Sequence, residues 1–334
     1  MRIGRASLLA SICFGCTLGQ QGNAPRLGAQ APALGYKEVP DWPIPATNAA
    51  GTAAAWNFIQ VSGVAIEASG HILVLHRGAH PLLEFESNGK FMRSWNNVLF
   101  SEGKVAAVAA GDRVSGRSFY SAVYGPAGCD SCGAHSVRVD PEHNVWVVDA
   151  TGQVVYKMDP QGKVIMQVGQ KGVAGTGHNN FNLPTDVAFA ANGDFFITDG
   201  YANARVVKFS HDGKYLLEWG TRGKGPGQFE LPHNVAVDAL GRVYVTDREN
   251  RRIEVFDANG KFLNQWMTIE GVSGLVMTKD QHLWAGAVLL NLEGQVLGRL
   301  PNGSAASAHG VAVSDSGDVY LAQLSGKVQK FVKQ

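Results

Sequence analysis

Three histidines stand at one position of a repeating sequence, an arrangement suited to holding a metal ion. His135, His233 and His309 belong to a column read across internal repeats: Ser62, His135, Thr185, His233, Ser273 and His309, with hydroxyl and imidazole residues in alternation. A neutral imidazole offers one lone pair to a cation. Three of them with a fourth position open form the ligand set of a catalytic zinc rather than a closed structural one. Iron and manganese are the other ions this set would accept, whereas calcium requires carboxylate and amide oxygens that the column lacks. A lone histidine is more often a hydrogen-bonded structural residue than a ligand, and it is the alternation that singles these three out. His71, His80, His143, His178, His211 and His282 fall in turns or loops and read as surface residues.

A second column follows the second strand of the repeats, where the chain reads His76-Arg77-Gly78, Asp199-Gly200-Tyr201 and Asp247-Arg248-Glu249. Arg77, Tyr201 and Arg248 do not recur, which marks them for function. Two guanidinium groups suit an anionic substrate, and a phenol can move a proton. Asp149, Asp199 and Asp247 do recur, and read as turn-capping residues of the repeat.

The elements that must position these side chains are short strands. Leu-Pro-Thr-Asp-Val-Ala-Phe at 183–189 matches Leu-Pro-His-Asn-Val-Ala-Val at 231–237. Each is followed by a glycine turn and an apolar strand, Phe-Phe-Ile-Thr-Asp at 195–199 or Val-Tyr-Val-Thr-Asp at 243–247. A third strand and a fourth ending in Trp219 or Trp266 complete the unit. Four strands recurring at about 40–50 residues read as one blade of a propeller. The other units run from Val61 to Trp95, Ala134 to Val168, Val272 to Leu300 and Ala308 to Lys333, giving a six-bladed β-propeller. The last unit has room for only three strands, so the segment from Tyr36 to Pro45 is expected to return as its outer strand and close the ring. Residues 96–132 form an insertion between the first two blades, and residues 31–334 read as a single domain. The glycine-rich stretch 220–227 resembles a phosphate loop, but no helix follows to aim amides at a phosphate, so it reads as an inter-blade linker.

A net charge of +1 with no basic stripe leaves no case for nucleic acid or an anionic membrane surface. Arg2 and Arg5, the apolar run Ser7 to Gly15 and the small residues that follow have the layout of a cleaved secretory signal over residues 1–30, with the cut between Gly19 and Ala31. The run is too short to span a bilayer, so no stable membrane insertion is expected. Cys13 and Cys16 lack the small-residue context of a lipid-anchored cysteine. A secreted or periplasmic location follows, and there Cys129 and Cys132 read as a small disulfide loop, with a redox or metal role as the alternative because His135 is close by. The expected oligomeric state is monomeric.

The blades resemble NHL repeats, and the fuller pattern is similar to the peptidyl-α-hydroxyglycine α-amidating lyase family. The resemblance is carried by His-Arg-Gly at 76–78, Ala-His-Ser at 134–136, Thr-Asp-Gly-Tyr-Ala-Asn-Ala-Arg at 198–205, Leu-Pro-His-Asn at 231–234, Thr-Asp-Arg-Glu-Asn-Arg-Arg-Ile at 246–253 and Ala-His-Gly at 308–310. It implies zinc on His135, His233 and His309, Tyr201 as base, Arg77 beside the substrate carboxylate or the phenolate, and Arg248 lining the pocket. The implied reaction cleaves a C-terminal α-hydroxyglycine into an amide and glyoxylate, on a small-molecule or peptide substrate bearing a carboxylate. The family's calcium-binding Asp after the last histidine is replaced by Gly310, so Ca2+ is not expected, and Ala202 stands where the family tends to have cysteine. Two other readings are an NHL-type binding propeller with a structural or vestigial metal, and a lactonase-type hydrolase.

Overall fold

Alternating apolar residues and tight turns build six four-stranded antiparallel sheets. The computed structural model describes residues 31–47, 53–54, 56–95, 100–101, 130–267, 270–303 and 308–334, within which every regular element is a strand. The signal segment, Cys129 and nearly all of the 96–132 insertion lie outside the described residues.

Blade one runs from Val61–Ile66 to Phe91–Ser94, blade two from Ala134–Val139 to Val164–Gly169 and blade three from Pro184–Phe189 to Tyr215–Trp219. Blades four and five run from Pro232–Val237 to Phe262–Met267 and from Leu275–Met277 to Val296–Arg299. Blade six contributes Gly310–Val313, Val319–Gln323 and Lys327–Lys333, and its fourth strand is Tyr36–Glu38, paired antiparallel with the third. The expected closure of the ring by an N-terminal strand is therefore present, over three residues. Blade five has the shortest strands, consistent with its degenerate sequence.

The first strand of each blade is innermost and packs against the first strand of the next, and the circuit closes from blade six back to blade one. Six separate apolar clusters fill the crevices between adjacent blades. Trp146, Phe195 and Ile197 join blades two and three, for example, and Trp42, Phe85 and Tyr320 join six and one. Each such buried side chain contributes about 1.5–3 kcal/mol through removal from water. Outer strands are largely solvated: Phe91 and Met92 of blade one are exposed, whereas its first strand is buried over Val61–Ala65.

Buried arginines hold the linkers between blades. Arg252 Nη1 and Nη2 donate to the carbonyls of Lys224, Gly225 and Gln228 at 2.9, 3.0 and 2.5 Å, and its Nε donates to Asp247 at 3.0 Å. Arg205 does the same for the preceding linker, bonding Thr176, Gly177 and Asn180 carbonyls together with Asp199. The glycine-rich stretch 220–227 is thus an inter-blade linker whose carbonyls accept from Arg252, while its Gly225 and Gly227 amides donate to Gln228 Oε1 and Glu254 Oε1. The recurring aspartates have the structural role expected of them: Asp247 accepts from the amides of Glu230 and Leu231, and Asp199 from that of Asn182.

A candidate metal and catalytic centre

The innermost strands of blades two and four each carry a histidine at their second residue, and His309 immediately precedes that of blade six. The three rings meet on the axis. Their centroids are 5.0 Å (His135–His233), 4.8 Å (His135–His309) and 4.9 Å (His233–His309) apart, a nearly equilateral triangle. One nitrogen from each lies within 4.8 Å of the other two, and all three residues are buried.

The outward-facing nitrogens fix the tautomers. His135 Nδ1 lies 2.6 Å from the Thr185 carbonyl oxygen, and His309 Nδ1 lies 2.6 Å from that of Ser62. A carbonyl only accepts, so each Nδ1 carries the proton and each Nε2 keeps a lone pair. Each acceptor is the backbone carbonyl of the column residue of the following blade. The hydroxyl of Thr185 turns away from His135, toward Thr198 Oγ1 at 2.8 Å and the Pro232 carbonyl of blade four at 3.1 Å. The third histidine departs from this rule, its Nδ1 lying 2.7 Å from Asn234 Oδ1.

Burial, reinforced by neighbouring positive groups, drives His135 and His233 well below the ordinary imidazole pKa and His309 down to about 3. All three are therefore neutral at physiological pH, the state a metal ligand needs. His309 Nε2 is a buried nitrogen with no hydrogen-bond partner, an orphaned lone pair of the kind that a cation satisfies. The donor set fits zinc. It does not provide for calcium, and a Cβ on Gly310 would stand 3.1 Å from Gly63 Cα, leaving a longer side chain no easy entry at that position.

Tyr201 is delivered to this triangle by a glycine. A Cβ on Gly200 would stand 1.9 Å from the Pro232 carbonyl oxygen, so only glycine lets the chain pass there and turn the next side chain inward. The phenol oxygen lies 3.1 Å from His135 Nε2 and 3.3 Å from His233 Nε2. Arg77 is fully buried, with Nη1 donating to Gln60 Oε1 at 2.7 Å and Nε to the Ala134 carbonyl at 3.3 Å. Burial depresses its pKa, and attraction to Tyr201 opposes that shift. Arg248 places its guanidinium 5.7 Å from the centre of the Tyr201 ring while bonding Glu249 Oε1. All six residues singled out from the sequence therefore converge. His76, one residue from Arg77, instead accepts from the Ile59 and Gly78 amides, and burial takes it down to about 4.

Of the histidines assigned to the surface, His71 and His282 are half-buried, with His71 Nδ1 2.7 Å from Glu84 Oε1 and His282 Nδ1 3.0 Å from Asp280 Oδ2. Cys132 is disulfide-bonded. Gln60, Asn234 and the pair Arg138–Asp186 were not anticipated. The signal that could have found Asp186 and Asn234 is the column one residue after the histidine column, where they stand among Gly63, Ser136, Gly274 and Gly310.

A family model described as a 6-bladed beta-propeller matches residues 176–265. Peptidyl-alpha-hydroxyglycine alpha-amidating lyase 1 of Drosophila melanogaster is 28% identical over 224 residues, covering 62% of this chain and 39% of that protein. The chain thus spans well under half the length of this relative. NHL repeat-containing protein 3 of Mus musculus is 30% identical over 300 residues, covering 80% of this chain and 78% of that protein. Among solved structures, a streptogramin B lyase superposes with a TM-score of 0.54 at 12% identity, covering 90% of this chain and 97% of that one, a likeness of fold alone.

Proposed function

Because the chain belongs to the NHL-repeat family of six-bladed β-propellers and is related to the peptidyl-α-hydroxyglycine α-amidating lyases, we propose that it is an exported, zinc-dependent lyase. Its substrate is an N-acyl- or peptidyl-α-hydroxyglycine, or a closely related carbinolamide, and its products are an amide and glyoxylate. The observation that carries this reading is the Tyr201 phenol lying 3.1 Å from Nε2 of His135 and 3.3 Å from Nε2 of His233, against two of the three neutral imidazoles.

His135, His233 and His309 would hold the ion, which when bound acidifies a substrate hydroxyl and stabilises negative charge on oxygen. The remaining chemistry belongs to the side chains. Tyr201, as phenolate, takes the proton of the α-hydroxyl, the oxygen lone pair closes to an aldehyde, and the carbon–nitrogen bond breaks with its electrons moving to nitrogen. The same phenol then returns that proton to the nitrogen, so atoms and charge balance without a further reactant. Arg77, buried against the site and coupled to Tyr201, favours the phenolate. Arg248, at the less buried side, pairs with the substrate carboxylate in competition with Glu249. The disulfide at Cys132 supports an oxidising, extracytoplasmic location.

The test is glyoxylate release from a simple N-acyl-α-hydroxyglycine, with and without a chelator. Release abolished by chelation and restored by zinc is the expected result; a zinc-retaining protein that releases none overturns the lyase assignment. The long match to NHL repeat-containing protein 3, whose name carries no activity, leaves room for a second reading, an NHL-type binding propeller with a structural or vestigial metal. Absence of metal after purification would favour the binding module, whereas a metal-bearing protein is separated from one with a structural or vestigial metal by glyoxylate release.

A further inference from the structure

The three histidines are not held alike, and the difference exposes a feature of the central channel. His135 and His309 each donate Nδ1–H to a backbone carbonyl of the following blade, Thr185 and Ser62. For His233 the corresponding blade is the fifth, whose inner strand begins only at Leu275. His233 instead donates to the Asn234 side-chain oxygen at 2.7 Å.

Two neighbours in an ordinary strand would point to opposite faces, so this contact needs a local distortion. The inner strands of blades three and four each have a register shift at their start, at Pro184/Asp186 and Pro232/Val235. Such a bulge re-aims side chains, and here it brings Asp186 and Asn234 into contact beneath the histidines. Asn234 Nδ2 donates to Asp186 Oδ2 at 2.8 Å, which fixes the amide orientation and leaves its oxygen for His233. Asp186, fully buried, also receives Arg138 Nε at 2.9 Å on Oδ1 and Nη2 at 2.5 Å on Oδ2, and the Val235 amide at 3.2 Å. Arg138 Nη2 continues to the Leu275 carbonyl of blade five at 2.9 Å.

The structure assigns Asn234, Asp186 and Arg138 a role as a positioning relay that keeps the proton on His233 Nδ1 and its Nε2 lone pair on the axis, in place of the carbonyl that supports each of the other two histidines. This inference rests on the metal-centre reading above. The relay links blades two, three, four and five in one run of hydrogen bonds, and it makes His233 the one ligand of the three whose support is a side chain. Outer partners of this kind typically set metal affinity by about 10–100-fold.

The relay is tested by imidazole 15N NMR of the metal-free protein and by Co2+ titration of the full chain. The parent should show His233 as the Nδ1–H tautomer. Asn234→Ala, and the near-isosteric Asn234→Leu that guards against a packing defect, should show loss of that tautomer and a Co2+ affinity about 10–100-fold weaker. Asp140→Asn serves as the control for general destabilisation, because Asp140 bonds Trp146, Asn144 and Lys157 away from the histidines. It should lower thermal stability with Co2+ affinity unchanged. Retention of the Nδ1–H tautomer in both Asn234 variants overturns the relay, as does a loss of affinity no greater than that of Asp140→Asn. A parent that takes up no Co2+ would sink the metal reading alone, since the tautomer still reports on the relay.

Discussion

The phenol oxygen of Tyr201 lies 3.1 Å from Nε2 of His135, on a tyrosine that is only 2% exposed. The phenol is carried by blade three and the imidazole by blade two, so the contact is a product of packing between adjacent blades rather than of local sequence. On the proposed reading, a phenol beside these imidazole nitrogens would be placed for proton transfer and would not be needed to hold the ion.

Tyr201→Phe should therefore retain metal and fold while losing about 10²–10⁴-fold in kcat. Bound zinc measured by elemental analysis, alongside glyoxylate release, checks both halves. Full activity in the variant would remove Tyr201 from the role of base.

The two arginines should separate in their effects. Arg248, pairing with Glu249 at the less buried side, is expected on truncation to alanine to raise KM about 10–100-fold with little change in melting temperature, as for loss of a charge-assisted contact to substrate. Arg77→Ala leaves the Gln60 side chain and the Ala134 carbonyl without their donor in a buried place. It should lower kcat and also destabilise the fold by about 1–3 kcal/mol. Steady-state kinetics with thermal melts distinguishes the pair; a pure KM effect for Arg77→Ala contradicts its coupling to Tyr201.

Glu254 gives a pH signature remote from the site. It is fully buried in blade four, its Oε2 has no hydrogen-bond partner, and burial pushes its pKa up to about 7. Because the folded value exceeds the unfolded one, its contribution is fully present below the ordinary glutamate range and is lost as pH rises toward 7. Glu254→Gln should flatten that loss and raise stability at pH 8 by about 1–3 kcal/mol, with little change at pH 4. Melting temperatures across that range would show it. A parallel downward shift at every pH would mean that the carboxylate is needed in its charged form beside Arg252.

Cys132 should resist alkylation until reductant is added, and reduction should lower the melting temperature. Peptide mapping of the non-reduced protein gives its partner directly. Ready labelling without reductant would remove the support that this bond lends to an exported location.

Most of the fold could be read from the chain because the blade signal is local: an apolar strand, a glycine turn and a terminal Trp recur, and Trp219 and Trp266 mark equivalent strands. The histidine triangle was legible for the same reason, since alternate blades of a closed ring must face one another. Asn234 was not. A strict two-residue period sends it away from the axis, and only the bulge at Pro232/Val235 turns it toward Asp186. Gln60 was equally hidden, because its partner Arg77 is brought to it only by folding of blade one.

The strand Tyr36–Glu38 is made early and finds its place only against Lys327–Lys333, made last. Blades two to four bring His135 and His233 together around Tyr201, whereas His309 joins them only with the sixth blade, which that strand completes. On the proposed metal reading, a chain that stops short of His309 would lack the third imidazole, so metal uptake would double as a readout of completed assembly, and pulse-labelled chains should acquire it in a single late step.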